Sequence, residues 1–134
     1  MKNLNKSFKN IIHPSVDFAT KDDLKKEPKY INLIYEKIYS EIFLFLERKK
    51  EIKIDTCKFK NNIGRILFLD QRGKENRIKI VFKDLTVIVY LNNEFIEDSQ
   101  IHGAFLDKDL FKVSDIKVDL ISIKKSIKSA LNLD

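Results

Sequence analysis

The stretch IGRILFLDQRGKENRIKIVFKDLTVIVYL, residues 63–91, decides how this chain folds. Branched and aromatic residues fill three short runs, 63–70, 77–83 and 86–91, which is the composition of β-strands. The interruptions between them, 71–76 and Asp84-Leu85, are too short for anything except antiparallel connections. Symmetric closure of the first loop sets Asp70 opposite Arg77, Leu69 opposite Ile78, Leu67 opposite Ile80 and Arg65 opposite Phe82. Carried through Asp84-Leu85, the register pairs Phe82 with Val87, Ile80 with Val89 and Ile78 with Leu91. A core face centred on Ile80, with Leu67 and Val89 beside it, is expected. The opposite face then carries Ile66, Phe68, Lys79, Val81, Ile88 and Tyr90, too apolar to stand fully in water.

Outward from this hairpin set, residues 52–59 read as a further strand, and Asn92-Asn93 as a turn into a short fifth strand over 94–96. Ahead of the strands, Ile31, Ile34, Tyr35, Ile38, Ile42, Phe45 and Leu46 recur at helical spacing. They predict a helix over 28–49 with Pro28 in its first turn, where a missing N–H does no harm. Leu33 and Leu44 lie on the far side of that helix, as isolated exposed leucines or as partner-binding residues. At the other end Ile116, Leu120, Ile123, Ile127, Ala130 and Leu131 predict an amphipathic helix capped by Ser114 or Asp115, although 116–120 also reads as strand. Residues 98–113 are acidic and irregular. The expected organisation is an N-terminal arm, 1–27, and a single α+β domain, 28–134. In that domain an antiparallel sheet of four or five strands is flanked by a long N-terminal helix and a C-terminal helix.

With 134 residues, 43% of them hydrophobic and 34% charged, the chain has material for one core and too much apolar content to stay disordered. No signal-peptide core is visible in residues 1–18, and an apolar run such as 42–46 is far short of a membrane span. A soluble, cytoplasmic protein without membrane contact is expected. Cys57 is the only cysteine, so no internal disulfide can form, and with His13 and His102 it offers no zinc spacing. Neither a metal nor a cofactor is expected.

The net charge of +6 is unevenly spread. Residues 48–83 hold twelve basic and four acidic side chains, whereas 84–115 hold two basic and seven acidic. All four arginines fall in the basic part, and the planar guanidinium fork suits phosphate or carboxylate. The basic constellation is the hairpin tip with Arg72, Gly73 and Lys74, then Arg77 at its base, and Arg65 and Lys83 at its root. Glycine lets backbone approach a phosphate closely and the cations supply charge. Lys79, between Phe68 and Tyr90 on neighbouring strands, would add a cation between two aromatic faces on which bases stack. The same row also reads as ordinary core with a lysine reaching for the edge.

Catalytic motifs are missing: Gly64, Gly73 and Gly103 are too scattered for a phosphate loop. Asp70, Glu75 and Glu41 could form a metal-dependent nuclease site, and His102 with Asp107 a base and its orienter. A cross-strand pair of Asp70 with Arg77 accounts more simply for the former, and exposure on a loop for the latter. Helix, antiparallel strands, then a helix with Lys124, Lys125 and Lys128 resembles a double-stranded-RNA-binding domain in outline. The chain is longer, has an additional strand and inserts an acidic segment before those lysines, so no family is assigned. The expected function is a non-enzymatic protein docking on nucleic acid or a nucleoprotein complex through Arg65, Arg72, Lys74, Arg77, Lys79 and Lys83. The alternative is a protein-binding inhibitor, adaptor or assembly component of the kind mobile elements encode, using the arm, Leu33 and Leu44, or the acidic segment.

Overall fold

The computed structural model describes residues 16–133, which form an α+β fold with two antiparallel sheets. Strands β2 (Lys53–Lys60), β3 (Ile63–Leu69), β4 (Glu75–Lys83), β5 (Thr86–Leu91) and β6 (Glu94–Gln100) pair in sequence order as a five-stranded meander. Strands β1 (Val16–Thr20), β7 (Gly103–Asp107) and β8 (Lys112–Lys117) make a second sheet with β7 in the middle. The helices are α1 (Lys21–Lys26), α2 (Ile31–Glu47, after a 3-10 turn at Pro28–Tyr30) and α3 (Leu120–Leu131).

Turn chemistry explains the meander. Asn61 and Asn62, Asp84 and Leu85, and Asn92 and Asn93 all have positive φ. Two-residue connections of that kind twist in the sense that matches the flanking strands. Asn and Asp tolerate the conformation because their short side chains bond locally, whereas a leucine resists it. Leu85 is held there by its surroundings: its side chain is buried, its N–H donates to the Tyr35 hydroxyl at 3.1 Å, and its carbonyl accepts from Ile101 N–H at 2.8 Å.

The loop between β3 and β4 is built differently, and it overturns the symmetric closure expected from sequence. The Asp70 carboxylate accepts from the backbone N–H groups of Arg72 and Lys74, each at 2.9 Å, and Gly73 N–H donates to the Asp70 carbonyl. Gly73 has φ +79, so a type I turn is followed by a left-handed glycine. This closure sets Leu69 opposite Glu75, Leu67 opposite Arg77, Arg65 opposite Lys79 and Ile63 opposite Val81. Asp70 therefore does not face Arg77. The displacement is an odd number of residues, which turns β3 over: Ile66 and Phe68 point into the core, and Leu67 and Leu69 point outward, half-buried. Leu67 is not beside Ile80, whose partner on β3 is Gly64. From β4 to β5 the expected register is the observed one, with Phe82 opposite Val87, Ile80 opposite Val89 and Ile78 opposite Leu91.

Helix α2 turns Ile34, Tyr35, Ile38, Tyr39, Ile42 and Leu46 toward the inner face of the larger sheet, at the three-and-four spacing of an amphipathic helix. The Tyr39 ring lies over Gly64, where any Cβ would collide with it. Tyr35 stacks on Phe82 with centroids 4.7 Å apart. Helix α3 adds Ile123 and Ile127 and packs on β5 and β6. The smaller sheet contributes Ala19, Ala104, Leu106 and Val113 to the same core.

Three further expectations change. Residues 16–27, assigned to an arm, form β1 and α1, with Thr20 and Asp23 capping each other at the start of α1; residues 1–15 lie outside the described residues. The irregular stretch 98–113 contains the end of β6, all of β7 and the start of β8, and the strand expected over 94–96 runs to Gln100. Ser114 and Asp115 lie within β8 and cap no helix; α3 starts later, where the Asp119 carboxylate accepts from Ser122 N–H at 2.9 Å. The larger sheet has the five strands allowed for, and the smaller one was not foreseen because its strands are short and β1 comes from far away in the chain. Among the described residues no helix is long and apolar enough to cross a membrane.

Candidate functional site

The outer face of the larger sheet follows directly from the observed register, since residues directly opposite one another share a face. One row across the sheet is Lys58 on β2, Arg65 on β3, Lys79 on β4, Tyr90 on β5 and Phe95 on β6. Beside it run Thr56, Leu67 and Arg77 on one side, and Lys60, Ile63, Val81, Ile88 and Asp98 on the other. Lys53 and Lys83 stand at the ends of their strands on this face. No residue of these rows is buried.

Three cations, Lys58, Arg65 and Lys79, are thus direct cross-strand neighbours. Like charges in that relation destabilise a sheet. Among the described residues none of the three is in an ion pair; Arg77 approaches Glu75 at 3.9 Å, with both side chains largely in solvent, where such a pair contributes little. Thr56, Lys58, Arg65, Leu67, Arg77 and Lys79 line a shallow groove of about 590 Å³ along this face. The Lys79 amine lies 4.9 Å from the centre of the Tyr90 ring, and Phe95 meets Tyr90 edge-on at 6.2 Å.

The six basic residues singled out from the sequence fall into two groups. Arg65, Arg77, Lys79 and Lys83 share the outer face. Arg72 and Lys74 sit at the hairpin tip and line a separate groove of about 420 Å³ with Asp70, Asn76, Asn92 and the end of α3. There Asn76, buried, accepts from the Asn92 amide at 3.1 Å and donates to the Lys74 carbonyl at 3.3 Å, while Asn92 accepts from Arg77 N–H at 2.9 Å. The Lys74 N–H, then the Arg72 N–H, the Asn76 amide and the Arg72 charge, hold the Asp70 carboxyl below the usual carboxylate range. The tip is thereby shaped as a hydrogen-bonded turn held by the Asp70 and Asn76 side chains. Phe68 is buried on the inner face, so the expected aromatic row of Phe68, Lys79 and Tyr90 is replaced by Arg65, Lys79, Tyr90 and Phe95.

Lys53, Lys58, Lys60 and Phe95 were not singled out from the sequence. Their signal lay in alternation along β2 and β6, and it becomes readable only when β3 is turned the right way. Of the partner-binding leucines, Leu33 packs against the core, and Leu44 is exposed. Glu41 approaches Lys124 at 3.9 Å, and Asp70 is engaged in its turn. Among the described residues no three His, Cys, Asp or Glu side chains gather as a metal site. Asp107, imagined as the partner of His102, accepts from the N–H groups of Asp109 and Leu110.

Two other polar features are structural. The Glu97 carboxylate accepts from the hydroxyls of Ser122 and Ser126 on α3, each at 2.9 Å; these bonds, Ser126 first, hold it below its ordinary range. The Tyr39 hydroxyl, beside Cys57, is buried without a hydrogen-bond partner among the described residues, and burial pushes its ionisation up to about 12. No known protein family, curated protein or solved structure matches this chain.

Proposed function

We propose that this protein binds nucleic acid without acting on it chemically, and that the phosphate backbone lies on the outer face of β2, β3 and β4. The observation that carries the reading is the row Lys58, Arg65 and Lys79, three adjacent cations on a solvent-facing sheet with no carboxylate among them. Such an arrangement opposes folding stability, and an extended polyanion relieves it by neutralising the row and releasing counterions. Arg65 and Arg77 bring guanidinium forks that match phosphate oxygens, and Lys79 and Lys83 supply point charges along β4. Arg72 and Lys74, at the tip, extend the same positive field beyond the edge of the sheet.

The test is the salt dependence of affinity for heterogeneous RNA and DNA, with two charge-reversal proteins. About four phosphate contacts give a log-log slope of roughly −3 on a single strand. Arg65→Glu with Lys79→Glu should weaken binding for all sequences and make the slope shallower by about 1.4. Arg72→Glu with Lys74→Glu should have the smaller effect. If the wild type fails to bind either polymer at low salt, the nucleic-acid reading falls and a protein partner replaces it, with Leu44 the first residue to substitute.

A further inference from the structure

We infer that the ligand of this face is a single strand, laid across the sheet with phosphates over the cations and an unstacked base against Phe95; the inference rests on the nucleic-acid reading above. The row holding Lys58, Arg65 and Lys79 continues without a break into Tyr90 and Phe95. Adjacent strands are about 4.8 Å apart, so Phe95 stands about 10 Å from the Lys79 position and about 19 Å from that of Lys58. Phe95 is 57% exposed, and its edge-on contact with Tyr90 leaves ring surface open to solvent. Every base has a face that stacks on such a ring, which gives affinity with little sequence preference.

The charge gradient orients the strand. Cations occupy β2 to β4, aromatics β5 and β6, and Asp98 shares the outer face of β6 in the row next to Phe95. A phosphate is attracted toward β2 and repelled from β6, so the backbone stays over the cations while a base reaches the aromatic end. Duplex DNA fits this face poorly. Its bases are stacked on each other and present only edges through a major groove about 12 Å wide, whereas the sheet from β2 to β6 is about 19 Å across and cannot enter.

Fluorescence anisotropy with a labelled oligouridylate and with a duplex of equal length tests this. The wild type should prefer the single strand. Phe95→Ala, at an exposed position where loss of the edge-on Tyr90 contact should lower the melting temperature by no more than a few degrees, should bind the oligouridylate about tenfold or more weakly with the same salt slope. A strand with its bases removed should bind wild type and Phe95→Ala alike. If Phe95→Ala binds oligouridylate as the wild type does, or the duplex binds better, while Arg65→Glu with Lys79→Glu abolishes binding, the single-strand inference is overturned and the nucleic-acid reading stands. Absence of binding to both probes by the wild type overturns both.

Discussion

The two faces of the larger sheet are made from alternate residues of the same strands, yet they answer to different physical demands. On the inner face Ile66, Phe68, Ile78, Ile80, Val87 and Val89 are buried and their shapes are matched by α2 and α3. On the outer face Leu67, Val81 and Ile88 are only half-buried, and cations stand between them. The inner face is fixed by volume: a methylene gained or lost there is felt. The outer face is fixed by charge and by what it can meet, so substitutions there should move binding far more than stability.

The largest effect expected from that contrast is at neighbouring positions of β4. Ile80→Asp puts an unpartnered carboxyl at the centre of the core and removes a fully buried isoleucine; together these costs should abolish cooperative folding in a domain whose margin is typically ~5–15 kcal/mol. Lys79→Asp, one residue earlier and facing outward, should melt within a few degrees of the wild type. Thermal unfolding followed by circular dichroism checks both, and loss of folding in the Lys79 variant would break the distinction between the faces.

A second pair tests the orientation of β3. Phe68→Ala should lower stability by about 3–5 kcal/mol, the range for a buried phenylalanine, and Leu67→Ala by about 1 kcal/mol at its half-exposed site. Urea titration gives both values; the reverse order would reinstate the symmetric hairpin.

Acid unfolding examines the turn that fixes this orientation. Asp70 has its carboxyl held below the usual range in the folded protein, chiefly by the Lys74 N–H. Its contribution is therefore complete above the unfolded-state pKa, near 4, and is lost as pH falls through the lower folded value. Asp70→Asn should be less stable at neutral pH and should show a weaker pH dependence below about 4. Equal acid profiles would mean that Asp70 does not hold the loop.

The smallest effect carries the opposite sign. Arg65→Thr removes the central cation of the row and should raise stability by about 0.2–1 kcal/mol while reducing nucleic-acid affinity. A fall in stability would show that Lys58 and Lys79 are not repelling Arg65.

The contrast between faces also explains what the sequence disclosed. The apolar stripe from Ile34 to Leu46 left α2 no other side to bury, and a connection as short as Asp84-Leu85 left β4 and β5 one register. Between β3 and β4 the loop length allowed several registers. The deciding signal was present, Asp70 and Gly73 at the first and fourth positions of a type I turn, but a symmetric closure pairing Asp70 with Arg77 competed with it. Turning β3 over exchanged Phe68 for Arg65 in the aromatic row and hid the neighbours Lys58 and Phe95. The smaller sheet was illegible for another reason: β1 and β7 are five residues each, and their pairing depends on partners distant in the chain.

That distance has a kinetic consequence. From β2 to β6 each strand finds its neighbour in the next few residues, whereas Val16 on β1 must meet Asp107 on β7. Closing so large a loop is entropically unfavourable until the intervening chain has already been gathered in. Made from the N-terminus, β1 emerges early and pairs late, after the meander has brought β7 within reach. Pulse-labelled hydrogen exchange should protect amides of β4 and β5 before those of β1. A chain arrested before Gly103 should hold the meander's own hydrogen bonds and leave β1 waiting for a partner.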